Sequence, residues 1–113
     1  SLARRLSREV SQSYRLDIKG YQLVSPQGIC ISLSASELLS LKQLAIAPNG
    51  TLDYEMLLTL MQPLHADWEK ENLEVHFSRL RKKIAPMVGD HPSIKALRGH
   101  GYQLCLQVQI KSD

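Results

Sequence analysis

The side chains in this sequence that are best suited to bind an anion lie in one segment, from Asn72 to Ile84. A helix turns by about 100° per residue, so one face of this segment collects donors and cations around a single apolar residue. That face consists of Asn72, Val75, His76, Arg79, Lys82 and Lys83. The opposite side carries an apolar stripe, formed by Leu73, Phe77, Leu80 and Ile84. The pattern predicts an amphipathic helix with its stripe in a core and its basic face toward water or an anion.

The charges of this helix also have a purely structural explanation. Acidic residues precede basic ones along the segment, which is the order that the helix macrodipole favours for stability alone. The whole chain carries a net charge of only +3, but six basic residues and one acid lie between Arg79 and Arg98. A basic C-terminal third on a near-neutral body is typical of a surface that binds a polyanion, although lysines that guard a sheet edge contribute to the same pattern.

Other chemistry has little support in the sequence. Paired carboxylates, a nucleophile with a base and a glycine-rich phosphate loop are missing, and Glu74-x-His76 lacks the second histidine of a zinc protease helix. We therefore expect no enzyme, no metal site and no cofactor. Cys30 and Cys105 lie in alternating apolar segments and are predicted to be core or near-core thiols. A disulfide between them stays open, although a reducing compartment would disfavour it.

The length of 113 residues, 43% of them hydrophobic, fits one globular domain with a modest core. No apolar run approaches the roughly 18 residues of a membrane span, and no signal segment opens the chain, so a cytoplasmic protein without a membrane partner is expected. The chain starts at Ser1 rather than at Met, which suggests a fragment whose upstream part is missing. We predict a linker or the end of a preceding helix over residues 1–13, a domain over 14–110 and a tail over 111–113.

The coarse order of elements is strands, three helices and a hairpin. Three short alternating segments between Tyr14 and Leu33 predict a small antiparallel sheet. Ser34-Ala-Ser-Glu37 is a capping box that begins a first helix, with Leu38, Leu41 and Leu44-Ala45 facing inward and Ala47-Pro48-Asn49-Gly50 ending it. Asp53 caps a second helix that runs from Tyr54 to Leu60 with Leu57 inward.

The third helix is predicted over about residues 70–84, after a polar loop from Pro63 to Lys70. Ala85-Pro86 and Gly89-Asp-His-Pro92 are predicted to break the chain behind it. Two short strands, Ser93 to Leu97 and Tyr102 to Leu106, then flank Arg98-Gly-His-Gly101, which predicts a hairpin with a tight basic tip.

Three motifs in this order resemble the winged helix-turn-helix effector domains of OmpR/PhoB-type response regulators. Leu33-Ser-Ala-Ser-Glu37 is similar to the Leu-Thr-x-x-Glu that opens the first helix of that family. Leu73-Glu-Val-His-Phe-Ser-Arg-Leu-Arg-Lys-Lys-Ile84 resembles its Val-Asp-Val-His-Ile-x-x-Leu-Arg-x-Lys-Leu, and Ile94-Lys-Ala-Leu-Arg-Gly-His-Gly-Tyr102 resembles its wing. The likeness covers about residues 16–106. It implies an α+β winged helix-turn-helix fold with an N-terminal antiparallel sheet, three helices and a C-terminal hairpin wing.

The resemblance implies that the domain binds specific sequences of double-stranded promoter DNA. It would be the output domain of a two-component response regulator, and two copies would bind tandem half-sites as a homodimer. The third helix would lie in the major groove and the wing, over 94–106, in the minor groove. The implied DNA-binding residues are Asn72, Val75, His76, Ser78, Arg79, Arg81, Lys82, Lys83 and Arg98. The loop would contact RNA polymerase through Leu64, His65, Asp67 and Trp68, although a tryptophan packed on its own domain is an equal alternative. Residues 1–13 also resemble the end of a receiver domain and its linker.

Several positions depart from the family pattern. Glu71 and Asn72 stand where relatives commonly have Arg-Thr, Ser78 where a second arginine is frequent, Ala96 where a threonine is frequent, and Tyr54 where an arginine is usual. Each change removes a donor to phosphate or base, so DNA binding is expected to be weaker or of unusual sequence preference. The alternative function is a winged-helix scaffold that acts through protein contacts, and an enzyme is the weakest reading.

Overall fold

The computed structural model describes residues 13–111, which form two small sheets around three helices. The elements in chain order are β1 (Tyr14–Asp17), β2 (Gln22–Val24), β3 (Cys30–Ser32), α1 (Ala35–Ile46), β4 (Thr51–Asp53), α2 (Tyr54–Met61), α3 (Lys70–Val88), β5 (Ile94–Leu97), β6 (Gly101–Leu104) and β7 (Val108–Lys111). Strands, three helices and a hairpin therefore follow one another as predicted, with β4 and β7 added. The predicted linker or receiver end lies outside the described residues, apart from Ser13.

The N-terminal sheet has the strand order β3-β2-β1-β7. The first three strands are antiparallel, and Leu16 pairs with Leu23 across β1 and β2. Both side chains are fully buried because alternate residues of each strand face the helices. β7 joins β1 in parallel, with Ile110 beside Leu16. Lys111, which the sequence placed in a tail, is the last residue of this strand.

α1 begins at the predicted capping box. The Ser34 hydroxyl accepts from the Glu37 backbone N–H at 3.2 Å, and the Glu37 carboxylate accepts from the Ser34 N–H at 2.8 Å. Leu38, Leu41 and Leu44 are buried as expected. Ala47 ends the helix, and a short 3-10 turn, Pro48–Gly50, leads to β4.

The second sheet has the order β4-β6-β5 and contains the predicted hairpin. β5 and β6 are antiparallel, with Leu97 opposite Gly101 on either side of the turn. β4 was not predicted, and it pairs with the free side of β6. α2 follows β4 directly, capped by the Asp53 carboxylate, which accepts from the Met56 N–H at 2.7 Å.

α3 is longer than predicted, because Ala85-Pro86 does not break it. The helix continues through Pro86 and ends at Gly89. Proline removes one hydrogen bond to the carbonyl four residues earlier, but Pro86 is exposed, so water can replace that bond. Met87, one residue further on, is buried, and its carbonyl accepts from the Tyr14 hydroxyl at 3.4 Å. Packing of the final turn thus outweighs the single lost bond.

The apolar stripe of α3 forms the centre of the core. Leu73, Phe77, Leu80 and Ile84 are fully buried, as predicted. The Phe77 ring lies 4.4 Å from the Tyr102 ring of β6, measured between centroids, so this stripe joins the helices to the hairpin. No helix of the described part is long and apolar enough to cross a membrane.

The prediction that both cysteines are core or near-core thiols is wrong for Cys30. Cys30 is exposed because β3 is an edge strand that turns only Ile31 toward the core. Cys105 is half-buried, and both thiols are free.

Candidate nucleic-acid interface

A row of exposed side chains runs along α3 on the side away from the core. Asn72, Val75, Arg79 and Lys82 are exposed, whereas Ser78 beside them is half-buried. Val75 is 49% exposed, although it is apolar and sits between polar neighbours. The spacing of three, four and three residues keeps the row on one side of the helix. The predicted outer face is therefore present for these four residues.

Asn72 has two roles at the start of this row. Its side-chain oxygen accepts from the Glu69 backbone N–H at 2.9 Å and so caps the first turn of α3. Because the oxygen is used in this way, the amide NH2 group is the part of Asn72 that remains available to a ligand. Asn72 therefore presents donors, while Glu71 next to it presents a carboxylate.

His76 does not lie on the outer face as predicted, because its ring is turned toward α1. Its Nε2 atom lies 2.8 Å from the hydroxyl oxygen of Ser40. That hydroxyl also donates to the Glu37 carbonyl at 3.1 Å. Burial lowers the pKa of His76 to about 4. The Glu37 carboxylate partly opposes this effect, and His65 adds to it. The ring is therefore neutral at physiological pH.

Two of the predicted phosphate-binding cations are used inside the domain. The Lys83 ammonium forms an ion pair with the Glu37 carboxylate at 2.7 Å and donates to the Ser32 carbonyl at 3.2 Å. Burial raises the pKa of Glu37, but the bond and charge of Lys83 and the bond from Ser34 outweigh it, and the pKa lies below its usual value. Arg81 is half-buried and donates to the Ile94 carbonyl of β5 at 3.3 Å. Lys83 thus joins α3 to α1, and Arg81 joins it to the wing.

The loop before α3 packs on its own domain. The Trp68 ring stacks on His65 with 4.0 Å between centroids and lies 5.2 Å from the His76 ring. The Nε2 atom of His65 lies 2.5 Å from the Ser36 hydroxyl oxygen of α1. Trp68 and His65 are half-buried, whereas Leu64 and Asp67 are exposed. Of the two alternatives for Trp68, the structure shows the packed one.

These residues enclose a shallow cavity of about 370 Å³ between α1, the loop and α3. Ser36, His65, Trp68 and His76 line its inner part, and Asn72, Val75 and Arg79 line the side that belongs to the exposed row. The cavity therefore opens onto the surface that the sequence singled out. Within residues 13–111, no group of three or more His, Cys, Asp or Glu side chains is placed to hold a metal ion.

The wing places a second set of cations next to the α3 row. Lys95, Ala96 and Arg98 are exposed, and Arg98 opens the turn between β5 and β6. The Arg81 bond to Ile94 fixes the wing to the middle of α3. The exposed row of α3 and the wing are thus joined by this bond and by the packing of Phe77 against Tyr102.

Sequence reasoning missed the residues that support this surface from behind. Ser40 was not singled out, although a serine within the apolar stripe of α1 is a signal for a buried polar partner. Ser36 was read only as part of the capping box. Tyr54 was noted for the arginine it replaces, but its ring stacks under the Lys70 ammonium at 4.6 Å from the ring centroid, which no sequence spacing indicates.

Comparison with known proteins identifies the class of domain. The family described as "Transcriptional regulatory protein, C terminal" matches residues 28–104. The C-terminal domain of the nisin resistance regulator NsrR, a lantibiotic response regulator, is 32% identical with a TM-score of 0.67, and the match covers 81% of this chain and 90% of that one. The DNA-binding domain of Klebsiella pneumoniae RstA, solved in complex with the RstA box, is 27% identical with a TM-score of 0.63, covering 79% and 87%.

A search of curated proteins found no match. The family match nevertheless spans more than half of the chain, and the NsrR and RstA domains match 81% and 79% of it with TM-scores of 0.67 and 0.63. The protein belongs to the family of C-terminal domains of transcriptional regulatory proteins, and it is a winged helix-turn-helix DNA-binding output domain of the OmpR/PhoB response-regulator type.

Proposed function

We propose that this domain reads double-stranded promoter DNA with the exposed row of α3 in the major groove and the wing in the adjacent minor groove. The main support for the proposal is that the exposed row of α3 and the wing lie on one surface. Asn72, Val75 and Arg79 are exposed in register along a helix whose opposite stripe is fully buried, and Arg98 is exposed on a hairpin fixed to that helix. A single helix with a neighbouring hairpin is the shape that follows a groove and its flank.

The residues of this surface divide into different kinds of DNA contact. Arg79 suits bidentate recognition of a guanine edge, and Asn72 offers its amide donors to a base acceptor. Val75 supplies the apolar contact in the same row. Lys82 is placed for phosphate, which contributes affinity without reading sequence. Arg98 is placed for the minor groove, where a narrow, negative channel attracts guanidinium.

Four of the residues predicted from sequence have smaller roles in this proposal. His76 and Lys83 hold α3 against α1, and Arg81 holds the wing, so we expect them to position the surface rather than to provide its main contacts. Ser78 is half-buried at the edge of the row and contributes at most a hydroxyl contact to the backbone. The sequence preference therefore depends chiefly on the first three turns of α3, which carry Asn72, Val75 and Arg79.

The remaining partners of the proposal follow from the family. We expect two copies to bind as a homodimer on tandem half-sites and the protein to act in the cytoplasm. A contact with RNA polymerase through the loop would use Leu64 and Asp67, because His65 and Trp68 are committed to packing. The family consists of transcription regulators and is not an enzyme family.

Substitution of the groove-facing arginines tests the proposal. We expect Arg79→Ala to weaken binding to a duplex selected from a random library with the wild-type chain, by about 1–3 kcal/mol if the contact is bidentate. Arg98→Ala should weaken it as well. Arg15→Ala is the matched control, because Arg15 is an exposed arginine of β1 in the other sheet. Fluorescence anisotropy measures the affinities, and equal affinity of all three variants would contradict the proposed surface.

A further inference from the structure

The turn of the wing carries a second side chain that the proposed contacts leave unused. The turn between β5 and β6 consists of Arg98, Gly99 and His100, so Arg98 and His100 are its two side chains. Both are exposed. In the part of the chain that the structure describes, no hydrogen bond or ion pair involves the His100 imidazole.

The backbone of His100 is held on both sides. Its N–H donates to the Leu97 carbonyl at 2.9 Å, which closes the turn, and its carbonyl accepts from the Tyr54 N–H at 2.9 Å. Gly99 has φ of +72°, a left-handed conformation that glycine adopts without strain. The imidazole is thus presented to solvent by a fixed main chain, which reduces the ordering cost of a contact made there.

The charged and titratable groups around the turn come from the hairpin itself and from three neighbouring elements. The hairpin itself contributes Lys95 and Arg98, and the neighbouring β4 and α2 contribute Asp53, Tyr54 and Glu55, of which Asp53 lies opposite Gly101. From α3, the Lys70 ammonium lies over the Tyr54 ring. The Asp53 carboxylate already caps α2 through the Met56 N–H. The turn therefore presents cations outward, and the acid nearest to it in the sheet register is already engaged.

We infer that His100 is a second minor-groove contact, that it binds DNA as an imidazolium beside Arg98, and that the domain takes up a proton when it binds. This inference rests on the proposed function of the wing. Imidazole exchanges its proton near neutral pH. The negative potential of a narrow minor groove stabilises an inserted cation, histidine included. Binding of DNA and binding of the proton therefore assist each other, and the complex loosens as the pH rises.

The experiment measures affinity against pH at constant ionic strength. The probe is a labelled duplex obtained by selecting a random-sequence library with the wild-type chain. Between about pH 8 and about pH 6 we expect wild-type affinity to rise by about three- to tenfold, within the limit of tenfold per pH unit for one proton. His100→Gln should lose most of this rise, so that its affinity changes much less between the two pH values than that of the wild type. Its side chain is exposed, so the fold should be unaffected.

His91→Gln is the matched control. His91 is also exposed but lies outside the wing, where its Nε2 is 3.3 Å from the Cys105 carbonyl. This variant should keep the full wild-type pH dependence of DNA affinity. His65 and His76 are present in both variants, so they do not contribute to any difference between them. Calorimetry in buffers of different ionisation enthalpy gives a second readout, because the observed heat reports the number of protons taken up. Wild type should take up more protons than His100→Gln.

Each outcome decides the inference. An affinity of His100→Gln that follows pH as steeply as the wild type would overturn it, as would a wild-type affinity that does not change with pH. In both cases salt-dependent DNA binding would persist, so the proposed function would stand. Absence of salt-dependent binding at every pH would overturn the proposed function and the inference together.

Discussion

Gly101 occupies a position where the main chains of β4 and β6 approach too closely for any side chain. A Cβ atom there would overlap the Leu52 carbonyl oxygen and lie 2.6 Å from the Asp53 Cα. The second glycine of the wing motif is therefore required by packing in the second sheet, whereas the first allows the turn.

Gly101→Ala should destabilise the domain by at least about 2 kcal/mol, because the clash is with main chain that cannot move aside. Gly20→Ala is the control. Its Cβ would meet only the Asp17 carboxylate at 2.5 Å, which belongs to a flexible side chain. Urea unfolding measures both variants. Equal stability of the two would show that β4 and β6 are further apart than the structure places them.

His76 should make the stability of the domain depend on pH. The folded protein keeps this ring neutral down to a pKa of about 4, whereas histidine in an unfolded chain has the ordinary value of 6.5. Between these values the unfolded state binds more protons, so the free energy of unfolding falls as the pH falls from 6.5 toward 4. Below about pH 4, His76 is protonated in both the folded and the unfolded state, and its contribution to stability is fully lost.

His76→Gln should remove this part of the pH dependence while retaining a polar side chain that can hydrogen-bond to Ser40. From about pH 7 to about pH 5, wild type should lose roughly 1 kcal/mol more stability than the variant, a figure reduced for the partial exposure of the ring. Urea unfolding at the two pH values gives the comparison, with the exposed His91→Gln as the control that keeps wild-type behaviour. Identical losses in wild type and His76→Gln would contradict a buried neutral ring.

At the scale of elements, local patterns predicted what local forces determine. The capping box of α1, the buried stripe of α3 and the turn of the wing depend on residues close in sequence, and all three were predicted. β4 and β7 were not, because each is a short strand whose pairing partner lies far along the chain. The end of α3 was missed because tertiary packing of Met87 overrides the local effect of Pro86.

The candidate site was likewise predicted only in part from the sequence. The exposed row of α3 was predicted from turn angle. The DNA contacts of His76, Arg81 and Lys83 were expected from the family resemblance, and their contacts inside the domain were not predicted. Their partners, Ser40 of α1, Ile94 of β5 and Glu37 of α1, are brought close by the fold and have no fixed spacing from them. Contacts across elements are therefore what sequence reasoning could not supply.

Trp68 allows the packing of the loop to be tested. Because its ring is stacked on His65 and packs against the core, Trp68→Ala should destabilise the domain by about 1–3 kcal/mol. Leu64→Ala, at a residue of the same loop that is 45% exposed, should change stability by less than about 0.5 kcal/mol. Chemical unfolding measures both. If Trp68→Ala were as mild as Leu64→Ala, the tryptophan would be free to act as an anchor for a partner.

At the scale of the whole molecule, the net charge is small, but positive and negative side chains lie in different places. The net charge is +3, but cations concentrate on α3 and the wing, while the N-terminal end of α3 is acidic through Glu69, Glu71 and Glu74. The surface therefore attracts phosphate at its basic end and excludes it at the other. This asymmetry favours one orientation on DNA and fits a domain with few phosphate contacts.

The salt dependence of DNA binding tests the central claim most directly. The proposed surface has four exposed cations, which are Arg79, Lys82, Lys95 and Arg98. Each cation that neutralises a phosphate contributes about −0.9 to the slope of log affinity against log salt. We expect the wild-type domain to bind its selected duplex with a slope of about −2 to −4, and Arg98→Ala to reduce the steepness by about one unit. An affinity for duplex DNA that is undetectable, or that does not change with salt, would contradict the account.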